Sequence, residues 1–396
     1  METNHIYQSM FTGGEIDERL QRIEKAVLFI SQVLAESEQE QARTNIDAIG
    51  GKEAESLVKF MRAERMRREY LTFTGIEDGG TLSLVVSNDE GAEFFDDNIL
   101  VSKNGGQWET VHFAGDGEYT LGVFNRGDRI RVKGDGLFSA RYSDDLGHDA
   151  YFSFASDKDT EISGNVMSLY YGDAFSDKYA IADGTVEGLP DDYWMQCAHL
   201  FEGGENFLIN PIHPLVLPAT TLADNCYSAM FRGCTGLTSA PELPATTLAN
   251  DCYNSMFSGC TGLTSAPELP ATTLADNCYS YMFNGCTGLT SAPELPATTL
   301  ANYCYSYMFN GCTGLTSAPE LPATTLANNC YNSMFSGCTG LNYVKCLATN
   351  ISASGSHTDW LKDVSATGTF VKAAGMNSWP SGSNGIPSGW TIQDAA

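Results

Sequence analysis

Positive charge is scarce in this chain of 396 residues: 22 Lys and Arg stand against 49 Asp and Glu, which gives a net charge of −27. Because Lys and Arg drive phosphate recognition, this balance argues against a nucleic-acid binder or an anionic-membrane binder. No apolar run approaches the roughly 20 residues that a membrane-spanning helix needs. The N-terminus has neither a basic segment nor an apolar one after it, so we expect no signal peptide.

Catalytic and metal-binding motifs are also missing from the sequence. The six histidines are scattered, and no HExxH, GxSxG or P-loop pattern occurs. The repeat cysteines include no CxxC pair and have no neighbouring histidine, which argues against a zinc site. We therefore predict a protein that is not an enzyme and that binds no cofactor or metal. Asp157-Lys158-Asp159 stays open as a calcium-binding alternative.

The chain does contain one segment that is copied five times between residues 217 and 341. Its start, LPATTL, returns at a period of 26 residues, at Leu217, Leu243, Leu269, Leu295 and Leu321. Self-similarity at a fixed period predicts a solenoid, in which each repeat buries its apolar face against its neighbours. A period of 26 falls within the range of leucine-rich repeats.

Comparison of the copies separates invariant from variable positions. In the first copy the invariant positions are Leu222, Cys226, Tyr227, Met230 and Phe231, and the variable ones are Asp224, Asn225, Ser228, Ala229 and Arg232. On a helical wheel the two sets cover opposite halves, which predicts a short amphipathic helix over residues 222–231. Gly233 would end this helix, and residues 237–243 would form a short strand that stacks on its neighbours.

Ten of the twelve cysteines lie in the repeats as pairs eight residues apart, beginning with Cys226 and Cys234. The even count and strict spacing would allow a ladder of disulfides. However, Cys226 lies on the predicted buried side of the helix, beside Met230, where a cysteine behaves as a small hydrophobic residue. We therefore favour buried, reduced cysteines, consistent with assembly in a reducing cytoplasm.

The N-terminal region carries a heptad pattern. Apolar residues alternate at spacings of four and three at Ile16, Leu20, Ile23, Val27, Ile30 and Leu34. This pattern predicts an oligomerisation seam in a coiled coil, with the trimer as the expected state. The alternative is a helix that packs on its own domain.

The fold class predicted for the whole chain is multidomain. It combines an N-terminal α-helical coiled coil, a β-sandwich, and an α/β leucine-rich-repeat solenoid with a C-terminal cap. The sandwich is predicted because apolar and polar residues alternate in short segments from Leu71 onward, and clusters of turn-forming residues separate these segments. The predicted regions are a helical anchor at 1–70, the sandwich at 71–159, an N-terminal cap with a degenerate repeat at 160–216, five repeats at 217–341, and the C-terminal cap at 342–396.

Two resemblances extend this interpretation. The segment from Ser37 to Gly50 is similar to one that recurs in phage tail-fibre proteins, and Phe11-Thr-Gly-Gly-Glu-Ile-Asp17 looks like the start of many phage structural proteins. The Gly-Cys-Thr-Gly-Leu-Thr-Ser-Ala-Pro-Glu-Leu-Pro units resemble BspA-like leucine-rich-repeat proteins of gut bacteria and their phages. The second resemblance covers residues 71–394 and implies adhesion or recognition.

These observations predict a phage virion fibre, made in the host cytoplasm and exposed on the particle. Its expected partners are other virion proteins through the N-terminal region and a host cell-surface protein or glycan, with no nucleic acid and no membrane insertion. Alternatives are a head-fibre or decoration protein and a bacterial surface adhesin. The candidate binding residues are variable positions of the repeats: Tyr281, Tyr303, Tyr307, Asn284, Asn310 and Arg232. Neutral drift on a solvated surface is the competing explanation for their variation.

Overall fold

The computed structural model describes residues 68–88, 96–134, 141–143, 149–176, 197–210 and 212–395. Within these ranges there is one α-helix, α1 (Ser168–Tyr171), followed by a 3₁₀ turn at Gly172–Ala174. The strands are β1 (Leu71–Gly75), β2 (Gly80–Asn88), β3 (Asp96–Lys103), β4 (Glu109–Ala114), β5 (Gly117–Phe124), β6 (Arg129–Gly134), β7 (Arg141–Ser143), β8 (Asp149–Ser156), β9 (Thr160–Asn165), β10 (Phe207–Ile209), β11 (Leu215–Val216), β12 (Ser317–Leu321), β13 (Tyr343–Cys346), β14 (Gly368–Lys372) and β15 (Trp390–Asp394).

Strands β1 to β9 form a sandwich of two sheets. One sheet has the order β10-β9-β1-β6-β3-β4, with β11 also paired to β9, and the other has the order β5-β2-β8-β7. Alternate residues of β2 point inward, so that Leu82, Leu84 and Val86 are buried. The rings of Phe73 in β1 and Phe154 in β8 lie 4.8 Å apart, and this contact joins the two sheets.

The hydrophobic core of the sandwich continues into the solenoid. β10 and β11 pair in parallel with β9, and Val216 bridges to Glu242 at the end of the first repeat. Phe201 stacks on Phe154 of the sandwich at 5.9 Å and on Phe231 of the first repeat at 5.3 Å. The sandwich therefore covers the N-terminal end of the repeat stack, where an unpaired repeat would otherwise expose its apolar face.

Each repeat contains a ribbon of consecutive turns where we predicted a helix. In the first repeat, the N–H groups of five alternate residues from Asn225 to Gly233 donate to carbonyl oxygens of the next repeat, at 2.7 to 3.0 Å. The N–H groups between them, from Cys226 to Cys234, donate to the carbonyl three residues earlier. Every N–H group of this ribbon therefore has a partner, although half of these partners lie in the neighbouring repeat.

A left-handed backbone recurs at every fourth residue of the ribbon, with φ of 56° at Asn225, 52° at Ala229 and 76° at Gly233. An α-helix cannot contain such residues, so the predicted amphipathic helix is wrong. The predicted fold class is wrong with it, because the solenoid of the described part is β-type and not α/β. The predicted coiled-coil residues Ile16, Leu20, Ile23, Val27, Ile30 and Leu34 lie outside the described ranges.

The interior of the solenoid consists of stacked columns of identical side chains. Phe231 and its four counterparts stack with ring centroids 5.5 to 5.7 Å apart, and Tyr227 begins a parallel tyrosine column. All twelve cysteines are buried free thiols, as expected for Cys226, and they form no disulfide ladder. The second thiol of each pair is bonded across repeats: Cys260 Sγ donates to the Phe231 carbonyl oxygen at 3.0 Å.

The C-terminal end of the stack is covered by the parallel sheet β12-β13-β14-β15 and by tryptophans. Trp360 extends the tyrosine column, 6.1 Å from Tyr331, and stacks on Trp379 at 5.1 Å. Its indole Nε1 donates to the Gly385 carbonyl oxygen at 2.9 Å. Both ends of the repeat stack are thus closed by segments that differ from the repeat.

Candidate functional site

Backbone hydrogen bonds place equivalent residues of successive repeats side by side on the outside of the ribbon. The N–H groups at one such position donate into the next repeat at 2.8 to 2.9 Å. This position, here called the outer row, is occupied by Ala229, Ser255, Tyr281, Tyr307 and Ser333, of which the two end members, Ala229 and Ser333, are buried. A neighbouring row consists of Asn225, Asp251, Asn277, Tyr303 and Asn329.

Three of the candidate residues, Tyr281, Tyr303 and Tyr307, lie on these two rows, and we call their surface the tyrosine face. The rings of Tyr281 and Tyr307 stack at 4.5 Å with an interplanar angle of 4°. Tyr281 is 38% exposed and Tyr303 is 43% exposed, unlike the buried tyrosines of the interior column. Burial and the adjacent Tyr307 hydroxyl raise the pKa of Tyr281 above its ordinary value of 10.0.

The backbone at the tyrosine face is left-handed, as it is at the equivalent positions of the other repeats. Tyr281 and Tyr303 have φ of 56° and Tyr307 has φ of 55°. A left-handed conformation costs an L-residue about 1–2 kcal/mol, and Asn or Asp tolerates it best. The positions equivalent to Tyr303 in the other four repeats accordingly hold Asn or Asp. Since the exposed rings of Tyr281 and Tyr303 are not needed to fill the core, their presence points to a role other than folding.

Asn284 and Asn310 form an amide ladder beside the tyrosine pair. Asn284 Nδ2 donates to Asn310 Oδ1 at 3.1 Å, and Ser258 Oγ donates to Asn284 Oδ1 at 3.4 Å. The ladder is tied to the same turns, because the Asn284 N–H donates to the Tyr281 carbonyl oxygen at 3.0 Å. The structure therefore brings five of the six predicted site residues onto two adjacent repeats.

Arg232 is the predicted site residue that lies elsewhere. It occupies the row of Asn284 but two repeats away, where its guanidinium forms an ion pair with Glu202. Burial raises the pKa of Glu202, but contacts with His199 and Arg232 outweigh this effect and lower it. Arg232 thus ties the first repeat to the segment before it, and does not belong to the tyrosine face.

Sequence reasoning overlooked two Asn–Ser pairs that flank the tyrosine pair. Ser255 Oγ donates to Asn254 Oδ1 at 2.8 Å, and Ser333 Oγ donates to Asn332 Oδ1 at 3.0 Å. The sequence does contain a signal: the second and fifth repeats share CYNSMFSGC, whereas the third and fourth share CYSYMFNGC. The variation among these four repeats is therefore symmetrical about the tyrosine pair.

Asp157, part of the calcium-binding alternative, has a structural explanation. Asp157 Oδ1 accepts a hydrogen bond from the Thr81 N–H at 2.7 Å and so anchors the start of β2. Over the described ranges, no group of three or more His, Cys, Asp or Glu residues is placed to hold a metal ion. In the same ranges, no helix has the length and apolar content to cross a membrane.

The tyrosine face combines aromatic surface, phenol hydroxyls and neutral amides on a rigid backbone. Such a surface is suited to binding, because tyrosine offers a large contact area at a low cost in conformational entropy. No family model, curated protein or solved structure matches the chain.

Proposed function

We propose that the chain is a phage virion fibre whose solenoid binds a ligand on the host surface through the tyrosine face. One observation carries the binding role: three tyrosines, two of them well exposed, lie together on the repeat array at positions where the other repeats carry Ala, Ser, Asn or Asp. Tyr303 also stands at a left-handed position that Asn or Asp fills in the other repeats, and residues that strain the backbone in this way cluster at functional sites.

The architecture around the tyrosine face supports this role. The face lies on the third and fourth of five repeats, and closed ends and a continuous hydrophobic core hold these repeats in place. A rigid platform loses little conformational entropy when a ligand binds. Aromatic side chains of this kind are enriched in binding interfaces, whereas Lys and Glu are depleted.

The assignment to a virion is supported by the resemblance of residues 8–52 to phage appendage proteins and of residues 71–394 to BspA-like repeats. It is tested by gold-labelled antibodies against residues 217–341 on purified particles. Label at fibre tips is the expected result, and label on bacterial cell surfaces in the absence of particles would contradict the assignment to a virion.

The binding role is tested by replacing each tyrosine with the residue of a neighbouring repeat, as Tyr281→Ser, Tyr303→Asn and Tyr307→Ser. We expect the triple variant to lose at least tenfold in binding to cells of the particle's host, because the aromatic surface is removed. Its melting temperature should stay level or rise, since Asn relieves the left-handed strain at position 303 and the exposed rings of Tyr281 and Tyr303 do not fill the core.

The matched control is Arg232→Ser, which also introduces a residue that a neighbouring repeat carries, Ser258. It lies outside the tyrosine face and should leave cell binding unchanged. Unchanged binding by the triple variant would show that the tyrosine face is not the site.

A further inference from the structure

A carboxylate lies beside Tyr303 of the tyrosine face. Asp276 Oδ1 accepts a hydrogen bond from the Asn302 N–H at 2.8 Å, and Asp276 Oδ2 accepts one from Asn302 Nδ2 at 3.3 Å. Asn302 directly precedes Tyr303, so the third repeat holds this carboxylate next to the backbone that carries the Tyr303 ring. Asp276 is exposed, and both of these donors are uncharged. Its negative charge is therefore open to a partner.

The repeats around this carboxylate contain no basic side chain. Between residues 233 and 344 the sequence has six Asp and Glu residues and no Lys, Arg or His. The bases at the two ends of this stretch are already paired, Arg232 with Glu202 and Lys345 with Glu320. The whole chain carries a net charge of −27. A field of one sign raises the local concentration of partners of opposite charge and speeds their association, which here favours a cationic partner.

We propose that the tyrosine face binds a basic segment of a partner protein, with an Arg or Lys side chain of that segment on the Asp276 carboxylate. This inference rests on the proposed function and names the class of its ligand. Each carboxylate oxygen has a second lone pair, so Asp276 can accept from a guanidinium while it keeps its bonds to Asn302. The ring of Tyr303, which is 43% exposed, adds contact area, and aromatic rings attract cations.

The amide ladder favours a protein segment over a small cation. Asn284 and Asn310 lie on the same two repeats as the three tyrosines and are partly exposed. Their side-chain amides both donate and accept hydrogen bonds, as the peptide groups of a main chain do. The tyrosine face extends over two repeats and two rows of the ribbon, which a segment of several residues can cover and a single small cation cannot.

Ligands of other charge fit this surface less well. An anionic ligand would meet the Asp276 carboxylate without a base to offset it. The next base along the row of Asn284 and Asn310, Lys362, lies beyond the fifth repeat, and Asp359 and Asp363 are near it in the sequence. A neutral ligand that covered Asp276 would remove a carboxylate from water without giving it a partner, which costs free energy. A cationic segment supplies that partner.

The test uses the full chain and fluorescein-labelled peptides that alternate Gly with Arg, Gln or Glu, with fluorescence anisotropy as the measurement. Asp276→Asn removes the carboxylate and introduces the residue that three other repeats carry at this position. We expect it to weaken binding of the Arg peptide at least threefold. The matched control is Asp224→Asn, two repeats earlier, where the carboxylate likewise accepts a backbone N–H, at 2.7 Å. At about 10 Å from Asp276, beyond the screening length of about 8 Å in physiological salt, it should leave binding unchanged.

Asn328→Asp is the reciprocal variant. The Tyr303 N–H donates to the Asn328 carbonyl oxygen at 2.9 Å, so position 328 lies beside Tyr303 in the following repeat. Asn328 Oδ1 accepts the Ser354 N–H at 3.1 Å, a hydrogen bond that an aspartate retains. A second carboxylate beside Tyr303 should tighten binding of the Arg peptide at least twofold. Weaker binding by this variant would contradict the proposal.

The basic partner is overturned if the three peptides bind equally or none of them binds. Equal losses in Asp276→Asn and Asp224→Asn would also overturn it, because binding would then follow net charge and not the tyrosine face. Free spermine that binds as tightly as the Arg peptide would overturn the assignment to a protein segment. In all these cases the proposed function stands if the triple tyrosine variant loses binding to host cells, and it falls if that variant retains it. Circular dichroism establishes that each variant is folded.

Discussion

Individual residues of the ribbon are constrained by backbone conformation as much as by burial. Asn225 and its counterparts occupy left-handed positions, and four of the five repeats place Asn or Asp there. Tyr303 is the exception, and its ring is 43% exposed. At this position backbone preference and side-chain identity conflict, which natural sequences tolerate mainly where function requires it.

Replacing Tyr303 with Asn should therefore stabilise the fold. We expect the free energy of unfolding to rise by about 1 kcal/mol, because Asn accepts the left-handed backbone at less cost than tyrosine. Denaturant titration measures this change. The control is Tyr305→Asn, which removes a buried ring from the interior column and should cost about 3–5 kcal/mol. A destabilised Tyr303→Asn variant would contradict the strain argument.

The buried thiols lead to a second prediction at this scale. Burial raises the pKa of Cys234 and of Cys346 to about 12, from an ordinary value of 9.0. Ellman's reagent should therefore find no reactive thiol in the native chain and twelve after denaturation. Rapid labelling of native thiols would contradict this burial.

Because of the same pKa shift, the stability of the fold depends on pH. Unfolded thiols ionise as the pH rises through 9, whereas folded ones such as Cys234 stay protonated up to about pH 12. The contribution of the buried thiols to the free energy of unfolding is therefore fully present below pH 9. It is lost as the pH rises from 9 to about 12.

At the scale of the element, the ribbon depends on close approach between repeats. An added Cβ at Gly288 would lie 2.5 Å from the carbonyl oxygen of Thr261 in the preceding repeat. Gly285, three residues earlier, has a φ of +71° and its nearest neighbour atom lies at 3.8 Å. Gly288 is needed because no side chain fits beside the neighbouring backbone. Gly285 is needed because its backbone is left-handed.

These two glycines should respond differently to substitution. Gly288→Ala should lower the free energy of unfolding by about 1–3 kcal/mol, because the methyl group meets backbone that cannot move aside. Gly285→Asn should cost less, since Asn tolerates the left-handed backbone and the space is open. Denaturant titration of both variants compares the two costs. Equal losses would show that the repeats are not packed as closely as the structure places them.

At the scale of the whole molecule, the sandwich caps the N-terminal end of the solenoid. Phe201 contacts Phe154 on one side and Phe231 on the other, and the Phe154 N–H donates to the Leu200 carbonyl oxygen at 2.9 Å. Because the core is continuous, sandwich and solenoid should unfold together.

A fragment of residues 217–396 should accordingly be less stable than the full chain, because its first repeat exposes Tyr227 and Phe231 to water. We expect a lower melting temperature and aggregation, measured by calorimetry and light scattering. Deletion of residues 243–268, one whole repeat, is the matched control. It keeps both covered ends and should retain one cooperative transition with a smaller loss. A fragment that melts with the full chain would contradict a capping role for the sandwich.

Copy-to-copy comparison was sufficient to identify the inward-facing residues. Cys226, Tyr227, Met230 and Phe231 are all buried, as their invariance indicated. The same comparison placed Tyr281, Tyr303 and Tyr307 on the outside, although it offered no means of seeing that two of them stack. Their contact depends on the register between repeats, which follows from hydrogen bonds between residues 25 positions apart.

The prediction of a helix where the structure has a ribbon of turns was wrong for a physical reason. Leu222, Cys226, Met230 and Cys234 are spaced by four residues, which is close to the 3.6 residues of a helical turn. An isolated segment with this spacing would favour a helix. In the folded chain the N–H of Tyr227 donates to Cys252 of the next repeat, and left-handed residues at every fourth position permit this.

The sequence by itself determined the repeat, its period of 26, the residues that face the core and those free to vary. Local periodicity and identity between copies carry that information. Only the tertiary structure decided that the ribbon is built of turns, that the sandwich closes its end, and that two tyrosines stack between two Asn–Ser pairs. These features depend on hydrogen bonds and contacts between repeats, and no single repeat contains both partners.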